Sequence, residues 1–312
     1  MEKIYIKNTD LLVSRLCFGG CPMGGHGWGD VSRNNLIEAI NHAVDIGINF
    51  FDTADTYGLG EGEKLLGYAL GDRRKEVVIA SKFGVRVENG KTFYDNSPEW
   101  IDIALNRSLE RLNTEYIDLY QVHYRDSKTP ISVVFEKLEQ LKKQGKIRHY
   151  GLSNIHIDDL PEIEKYKGRF VSFQDEYSLA IRKNERDLKV LSTELNVTPM
   201  TWGSLGQGIL SGKYDKNSVF AQNDRRSRKE YVNFHGEKLI KNLEIVEHLR
   251  ELSQKYEKSI PAIAIRWILD YIPNSIVIAG IKDINQLNMN ASALGWNLLE
   301  TDVEYLSKIS KE

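Results

Sequence analysis

Short apolar runs alternate with longer stretches of helical spacing along nearly the whole chain. Runs rich in Val, Ile, Leu, Phe or Tyr stand at residues 15–20, 48–53, 77–83, 116–123, 147–153, 171–177, 198–204 and 275–280. Apolar runs of this length, bounded by polar residues and turn formers, predict buried strands. Between them apolar positions recur every three or four residues. Leu36, Ile37, Ile40, Ala43 and Val44 place a helix over 34–46, and the same spacing predicts helices at 63–70, 97–112, 131–144, 185–195, 239–256 and 261–271. Ser97-Pro98-Glu99 offers a cap and a first-turn proline, and Gly145 stops the helix before it. Strands that alternate with helices over about 300 residues predict a closed (β/α)8 TIM barrel. Segments 3–7 and 11–14, around Asn8-Thr9-Asp10, predict an N-terminal β-hairpin ahead of it. Residues 212–236 are polar and read as an insertion loop after the seventh strand. With no repeat, low-complexity tract or linker, residues 1–312 read as one domain.

Three of these runs end on ionisable residues. Asp52 closes Phe50-Phe51-Asp52, Lys82 nearly closes the third run, and His123 closes the fourth, while Tyr57 follows Asp52 in a Gly-flanked loop. In parallel α/β folds, ligands bind at the carboxyl ends of the strands. Each residue alone has a structural reading: Asp52 as a helix cap, Lys82 as an exposed strand end, Tyr57 as packing, His123 as a satisfied core histidine. Together, on three strand ends and one adjoining loop, they read as one site.

Composition narrows the field. Forty-two basic residues against forty-four acidic ones leave a formal charge of −2, so nothing calls for nucleic acid or an anionic membrane. Only two cysteines, Cys17 and Cys21, are present, which favours a reducing compartment over a disulfide framework. No CxxC or HExxH spacing suggests a metal. The first residues lack a signal-peptide core, and no apolar run nears the roughly 18 residues of a spanning helix. A cytoplasmic protein is the expectation.

The four residues form a coherent set for carbonyl reduction. A carbonyl oxygen that receives electrons needs a proton donor beside it. Tyrosine is a weak acid, with a reference pKa of about 10, and a neighbouring ammonium lowers that value. Tyr57 then reads as general acid, Lys82 as its tuner, Asp52 as the anchor of Lys82, and His123 as the group that orients the carbonyl.

The motifs around these residues resemble the aldo-keto reductase superfamily over nearly the whole chain. They are Phe51-Asp52-Thr-Ala-Asp-Thr-Tyr57-Gly58, Ile117-Asp118-Leu119 with His123, Gly145-Lys146-Ile147-Arg148 with Gly151, Ser153 and Asn154, Gln174 with Tyr177-Ser178-Leu179, and Leu205–Tyr214. Detailed wording such as Asp95-Asn96-Ser97-Pro98 resembles the bacterial branch with inositol-linked and general-stress members. The resemblance implies NADP(H) bound across the barrel mouth without a Rossmann domain, and no GxGxxG occurs. It implies that Ser153, Asn154 and Gln174 hold the nicotinamide carboxamide, and that Asp52 serves the cofactor side as well as the tetrad. Gly20 and Cys21 fall beside the nicotinamide ribose. Trp202, followed by Gly203 and Ser204, falls where an aromatic ring stacks on the nicotinamide; core packing is its other reading. Leu205, Gly206, Gly208 and Lys213 would wrap the pyrophosphate, with Arg226 either closing over it or lying in a solvated charge run. Gly280, Lys282, Gln286 and Asn290 fall at the adenosine phosphate. Two departures stand out: Lys282 is the nearest cation in place of a fuller pair, and Met289 stands where an acidic residue often meets adenine.

The resulting function is an NADP(H)-dependent oxidoreductase of an aldehyde, ketone or sugar-like carbonyl or polyol. The alternatives are a cofactor-binding regulatory subunit resembling potassium-channel β-subunits, and a barrel with a purely structural role. Trp28, Tyr94, Tyr124 and Arg125 lie in loops that would set specificity, and the polar Tyr124-Arg125-Asp126 leans towards a hydroxylated or charged substrate.

Overall fold

The computed structural model describes residues 1–25 and 27–311. Strands β1 (Lys3–Tyr5) and β2 (Leu12–Ser14) form the expected antiparallel hairpin, with Lys3 opposite Ser14. They are followed by β3 (Leu16–Gly19), β4 (Phe50–Asp52), β5 (Val78–Phe83), β6 (Val85–Glu88), β7 (Lys91–Tyr94), β8 (Ile117–Val122), β9 (Ile147–Ser153), β10 (Ser172–Glu176), β11 (Thr198–Trp202) and β12 (Ile276–Gly280). Eight of these close a parallel barrel in the order β3-β4-β5-β8-β9-β10-β11-β12, with β12 paired back to β3. This is the expected (β/α)8 architecture. The helices are α1 (Arg33–Asp45), α2 (Glu61–Leu70), α3 (Pro98–Leu112), α4 (Ile131–Lys143), α5 (Leu160–Ile163), α6 (Glu185–Glu194), α7 (Gly236–Tyr256), α8 (Ile260–Tyr271), α9 (Ile284–Ala291) and α10 (Glu300–Ile309). Among the described residues, none is long and apolar enough to cross a membrane.

Strand periodicity divides the core in two. On β4, Phe50 points into the barrel and Phe51 out; on β8, Leu119 points in and Tyr120 out. The lumen is filled by Cys17, Phe50, Val78, Ala80, Leu119, Met200, Ile276 and Ile278, and is closed below by Ile6, Leu11 and Val13 of the hairpin segment. The larger outer core lies between strands and helices. Fully burying a Leu, Ile, Val or Phe side chain contributes about 1.5–3 kcal/mol, so the packed lumen is a stabilising plug and no channel.

Local signals set the helix ends. Ser97 Oγ accepts from Trp100 N at 3.3 Å and Pro98 opens α3. Gly145 leaves α4 with φ 74°. Several expected elements change at their edges: the strand expected over 48–53 shortens to Phe50–Asp52, and the helix expected from 239 begins at Gly236. The β6–β7 hairpin and helices α5, α9 and α10 were not foreseen. The hairpin had a signal, because Asn89-Gly90 joins two alternating strands and both residues take positive φ, 49° and 73°. The insertion loop carries two short helical turns, Arg225–Ser227 and Val232–Phe234.

Candidate active site

The carboxyl ends of β4, β5, β8, β9, β10 and β11 converge on one mouth of the barrel. Asp52 and Lys82 point inward there and are buried, with Lys82 Nζ 2.6 Å from Asp52 Oδ1. Lys82 also donates to Thr53 O at 3.0 Å. The second carboxylate oxygen accepts from Gln174 Nε2 at 2.9 Å. A buried charge pair persists only when its remaining hydrogen-bonding sites are filled, and Gln174 does this from across the lumen.

Tyr57 approaches from the loop after β4, where Gly58 lies tight against the backbone of Gly24 at a φ of 62°. Its ring centroid is 5.3 Å from Lys82 Nζ and 6.3 Å from the His123 ring, which meets it edge-on at 84°. The structure thus brings Asp52, Tyr57, Lys82 and His123 together. It corrects the expected tuning. Burial, and then the negative charge of Asp52, push the Tyr57 hydroxyl well above its ordinary range. Lys82, in contact with Asp52, does not reverse that shift. The phenol therefore holds its proton and is a hydrogen-bond donor.

Burial, and then the Lys82 charge, hold the His123 imidazole well below its usual range, so the ring is neutral. Its Nδ1 is buried and has no hydrogen-bond partner. The His123 backbone is fixed by bonds to Phe83 O at 2.8 Å and from Asn154 Nδ2 at 2.9 Å.

The expected nicotinamide residues sit side by side on β9, β10 and β11. Asn154 Nδ2 also donates to Ser153 Oγ at 2.9 Å, and Trp202 Nε1 donates to Asn154 Oδ1 at 3.2 Å. Trp202 is part-exposed at the mouth and belongs to neither core cluster, which removes the core-packing reading. Ser204 is turned back on its own strand, bonded to Thr201 O at 2.9 Å. Gly206, Gln207 and Gly208 take positive φ in succession, 55°, 55° and 104°. The amides of Gly206 and Gly208 are already bonded to Gly203 O and Leu205 O, at 2.7 and 2.9 Å. These glycines shape a shallow cradle more than they offer free amides.

Arg226 is buried, which corrects the reading as a solvated charge run. Its Nε lies 2.9 Å from Asp224 Oδ1, and Nη1 contacts the Tyr214 hydroxyl. Its Nη2 donates to Trp28 O at 3.3 Å, and Lys282 Nζ donates to the same carbonyl. Two cations thus meet on one carbonyl beside Gly208. Burial, and then the Arg226 charge, lower the pKa of Lys282. Lys213 is exposed at the rim. Gln286 accepts from Lys282 N at 3.2 Å, Asn290 is buried on α9, and Gly280 is exposed at the end of β12. Gly20 donates to Asp52 O at 2.7 Å, and Cys21 Sγ accepts from Trp28 Nε1 at 3.2 Å. A part-exposed aromatic face, a glycine cradle and a paired cation suit a nicotinamide dinucleotide in extended form.

Sequence reasoning missed two members of this mouth. Glu176 accepts from Gln207 Nε2 at 2.7 Å, and Asp224 pairs with Arg226. Glu176 stands near the end of the 171–177 run and Asp224 in the polar insertion loop, and only the fold brings them to one mouth.

Residues 15–311 match the model of the aldo/keto reductase family, and the chain belongs to that family. It is an oxidoreductase that works with a nicotinamide cofactor. The chain is 32% identical to aldo-keto reductase YhdN of Bacillus subtilis (strain 168), over 99% of this chain and 93% of that one. It is 30% identical to the NADH-specific methylglyoxal reductase of Escherichia coli (strain K12), over 100% of this chain and 99% of the other. Among solved structures it resembles the glycerol dehydrogenase AKR11B4 from Gluconobacter oxydans, with a TM-score of 0.89, 31% identity, and coverage of 98% and 94% of the two chains. These relatives carry the names of oxidoreductases, which does not favour a regulatory subunit.

Proposed function

We propose that this protein reduces an aldehyde, ketone or sugar-like carbonyl to the alcohol, or runs the reverse, with NADP(H) as cofactor and Tyr57 as general acid. The observation that carries this reading is the convergence of a proton-holding phenol, a neutral imidazole and a compensated Asp52–Lys82 pair on one barrel mouth. Bound reduced nicotinamide supplies the hydride. Ser153, Asn154 and Gln174 would hold its carboxamide, Trp202 would offer a face for its ring, and the cradle of Gly206 and Gly208 would follow the pyrophosphate. Arg226 and Lys282 would meet the adenosine phosphate. The Tyr57 hydroxyl donates to the carbonyl oxygen and gives up its proton as negative charge develops there. Lys82, held by Asp52, keeps its place beside the Tyr57 ring. The imidazole of His123, neutral and with Nδ1 buried, turns Nε2 to the same oxygen and fixes its direction. General acid catalysis of this kind contributes about 10²–10⁴-fold.

Preference for NADPH rests on the Arg226–Lys282 pair, although one relative is named NADH-specific. The chain acts as one domain, since a single barrel supplies every residue invoked. NADPH consumption with a panel of aldehydes, ketones and hydroxylated carbonyls tests the reading. Turnover of at least one class, lost in Tyr57→Phe, is expected. Tight NADPH binding with no turnover on any carbonyl would overturn it.

A further inference from the structure

The side-chain torsion that turns a histidine ring is broad and roughly two-fold, so it selects neither face by itself. Active-site imidazoles are usually held by a hydrogen bond to the second ring nitrogen. His123 lacks that bond, since Nδ1 is buried without a partner. Its ring is held by other rings. Tyr124 stacks on it at 5.0 Å and 24°, and Tyr94 stacks on Tyr124 at 5.1 Å and 23°. Tyr57 meets the His123 ring edge-on. A flip of the imidazole must pass through the perpendicular, where it collides with the face of Tyr124.

The outermost ring is delivered by the β6–β7 hairpin, which ends on Tyr94. Three contacts lock that hairpin to the loop after β8. Asn96, buried just past the hairpin, donates from Nδ2 to Tyr124 O at 3.1 Å. Asn96 Oδ1 accepts from Asp126 N at 2.8 Å, and Asn96 N donates to Asp126 Oδ2 at 2.8 Å. At the hairpin base, Asp95 N bonds Gly84 O at 3.1 Å, and Arg86 reaches Asp95 Oδ2 at 2.9 Å. Gly84 has φ 102°, and a Cβ there would strike Asn96 Nδ2, so the entry to the hairpin admits little but glycine. The register of Tyr94 on Tyr124 is thereby set by bonds between the Asn96 and Asp126 side chains and the facing backbone. Tyr94 itself remains 47% exposed, which is a poor return for a ring whose only task is burial.

We propose that the β6–β7 hairpin is an orienting clamp for the imidazole: Tyr94 holds Tyr124, and Tyr124 holds His123 by stacking in place of the hydrogen bond that Nδ1 lacks. Tyr94 and Tyr124 are positioning residues, acting through His123. The proposal rests on the assignment of His123 to the carbonyl oxygen made above, and the experiment separates the two.

The test uses ¹⁵N-histidine NMR of the full chain, with the His123 signal assigned by its loss in His123→Gln, alongside steady-state kinetics and NADPH titration. In the wild type, His123 should show one neutral tautomer with the proton on Nε2. In Tyr124→Ala, and more weakly in Tyr94→Ala, that signal should shift or broaden as the ring samples more than one orientation. Turnover should fall by about tenfold to a hundredfold, as misplacement by an ångström commonly costs, while NADPH affinity holds. Tyr124→Phe and Tyr94→Phe keep the ring face and should restore both signal and turnover. An unchanged His123 signal in Tyr124→Ala, or a Tyr124→Phe variant as damaged as Tyr124→Ala, overturns the clamp. Should Tyr124→Ala fail to fold, the exposed Tyr94→Ala decides by the same signal. If His123→Gln itself keeps full turnover, the assignment of His123 fails, while the NMR of the tyrosine variants still decides whether the rings are clamped.

Discussion

The two ends of this barrel bury charge in opposite ways. At the lower end, Asp118 is enclosed and fully partnered. Its Oδ2 accepts from Arg74 Nη2 at 2.8 Å and Ile79 N at 2.9 Å, and its Oδ1 from Arg148 Nη1 at 2.9 Å. Arg148 reaches on to Asp10 of the hairpin turn at 2.7 Å. At the upper end, Asp52 and Lys82 are paired, but their surroundings are not closed. His123 Nδ1, Asp55 Oδ1 and Asp175 Oδ2 are buried without partners. Burial, and then Glu63, push Asp55 well above the carboxylate range, and burial raises Asp175 to about 7. The lower end has its charges neutralised by arginines and contributes stability. The upper end carries perturbed groups, as the functional face of such a barrel does.

Substitution should expose that difference. The largest effect is expected at the upper end on rate alone. Tyr57→Phe should lower turnover by about 10²–10⁴-fold and leave NADPH binding and melting temperature in place; steady-state assays with a calorimetric scan check it. Asp118→Ala should do the reverse. It leaves Arg74 buried without its carboxylate, so urea unfolding should show a loss of about 3–5 kcal/mol with turnover per folded molecule unchanged. A rate loss there matching that of Tyr57→Phe would erase the distinction between the two ends.

Smaller effects sharpen the upper end. Lys282→Ala should remove a modest preference for NADPH over NADH, about tenfold to a hundredfold or roughly 1.4–2.8 kcal/mol, read by fluorescence titration of both cofactors. Equal affinities in the wild type would sink that assignment. Trp202→Ala should weaken NADPH binding by about 0.5–1.5 kcal/mol beyond lost burial, with Trp202→Tyr close to wild type. Cofactor should quench part of the fluorescence of the five tryptophans, and less in Trp202→Tyr. The smallest effect is a slope. Asp175 is protonated in the folded state up to about pH 7, whereas the unfolded chain releases that proton near its ordinary carboxylate value. Stability should therefore decline as pH rises between those values and level off above. Asp175→Asn should flatten the decline in melting temperature, and an unaltered slope would assign it to other groups.

Much of this was legible in the chain. Asp52, Lys82 and His123 could be placed at strand ends because a strand is a local apolar run, and its last residue is visible wherever the run stops. Helix α3 was bounded by Ser97 and Pro98 for the same reason. The Asn89-Gly90 hairpin is equally local, but its strands are too polar to read as core. Tyr94 and Tyr124 were visible as loop aromatics near the site, but not as a stack.

The sequence by itself determined the barrel, the hairpin ahead of it and the side chains delivered to the upper mouth, because periodicity and strand-end position are properties of neighbouring residues. Only the tertiary structure decided what those side chains became. Gln174 meets Asp52 across 122 positions, and Arg226 meets the Trp28 carbonyl across 198. The Tyr57 proton is held by burial and then by the Asp52 charge, and the His123 ring is neutral because it is enclosed. Such states follow from desolvation and from which charge stands nearest, quantities that exist only once distant segments have packed.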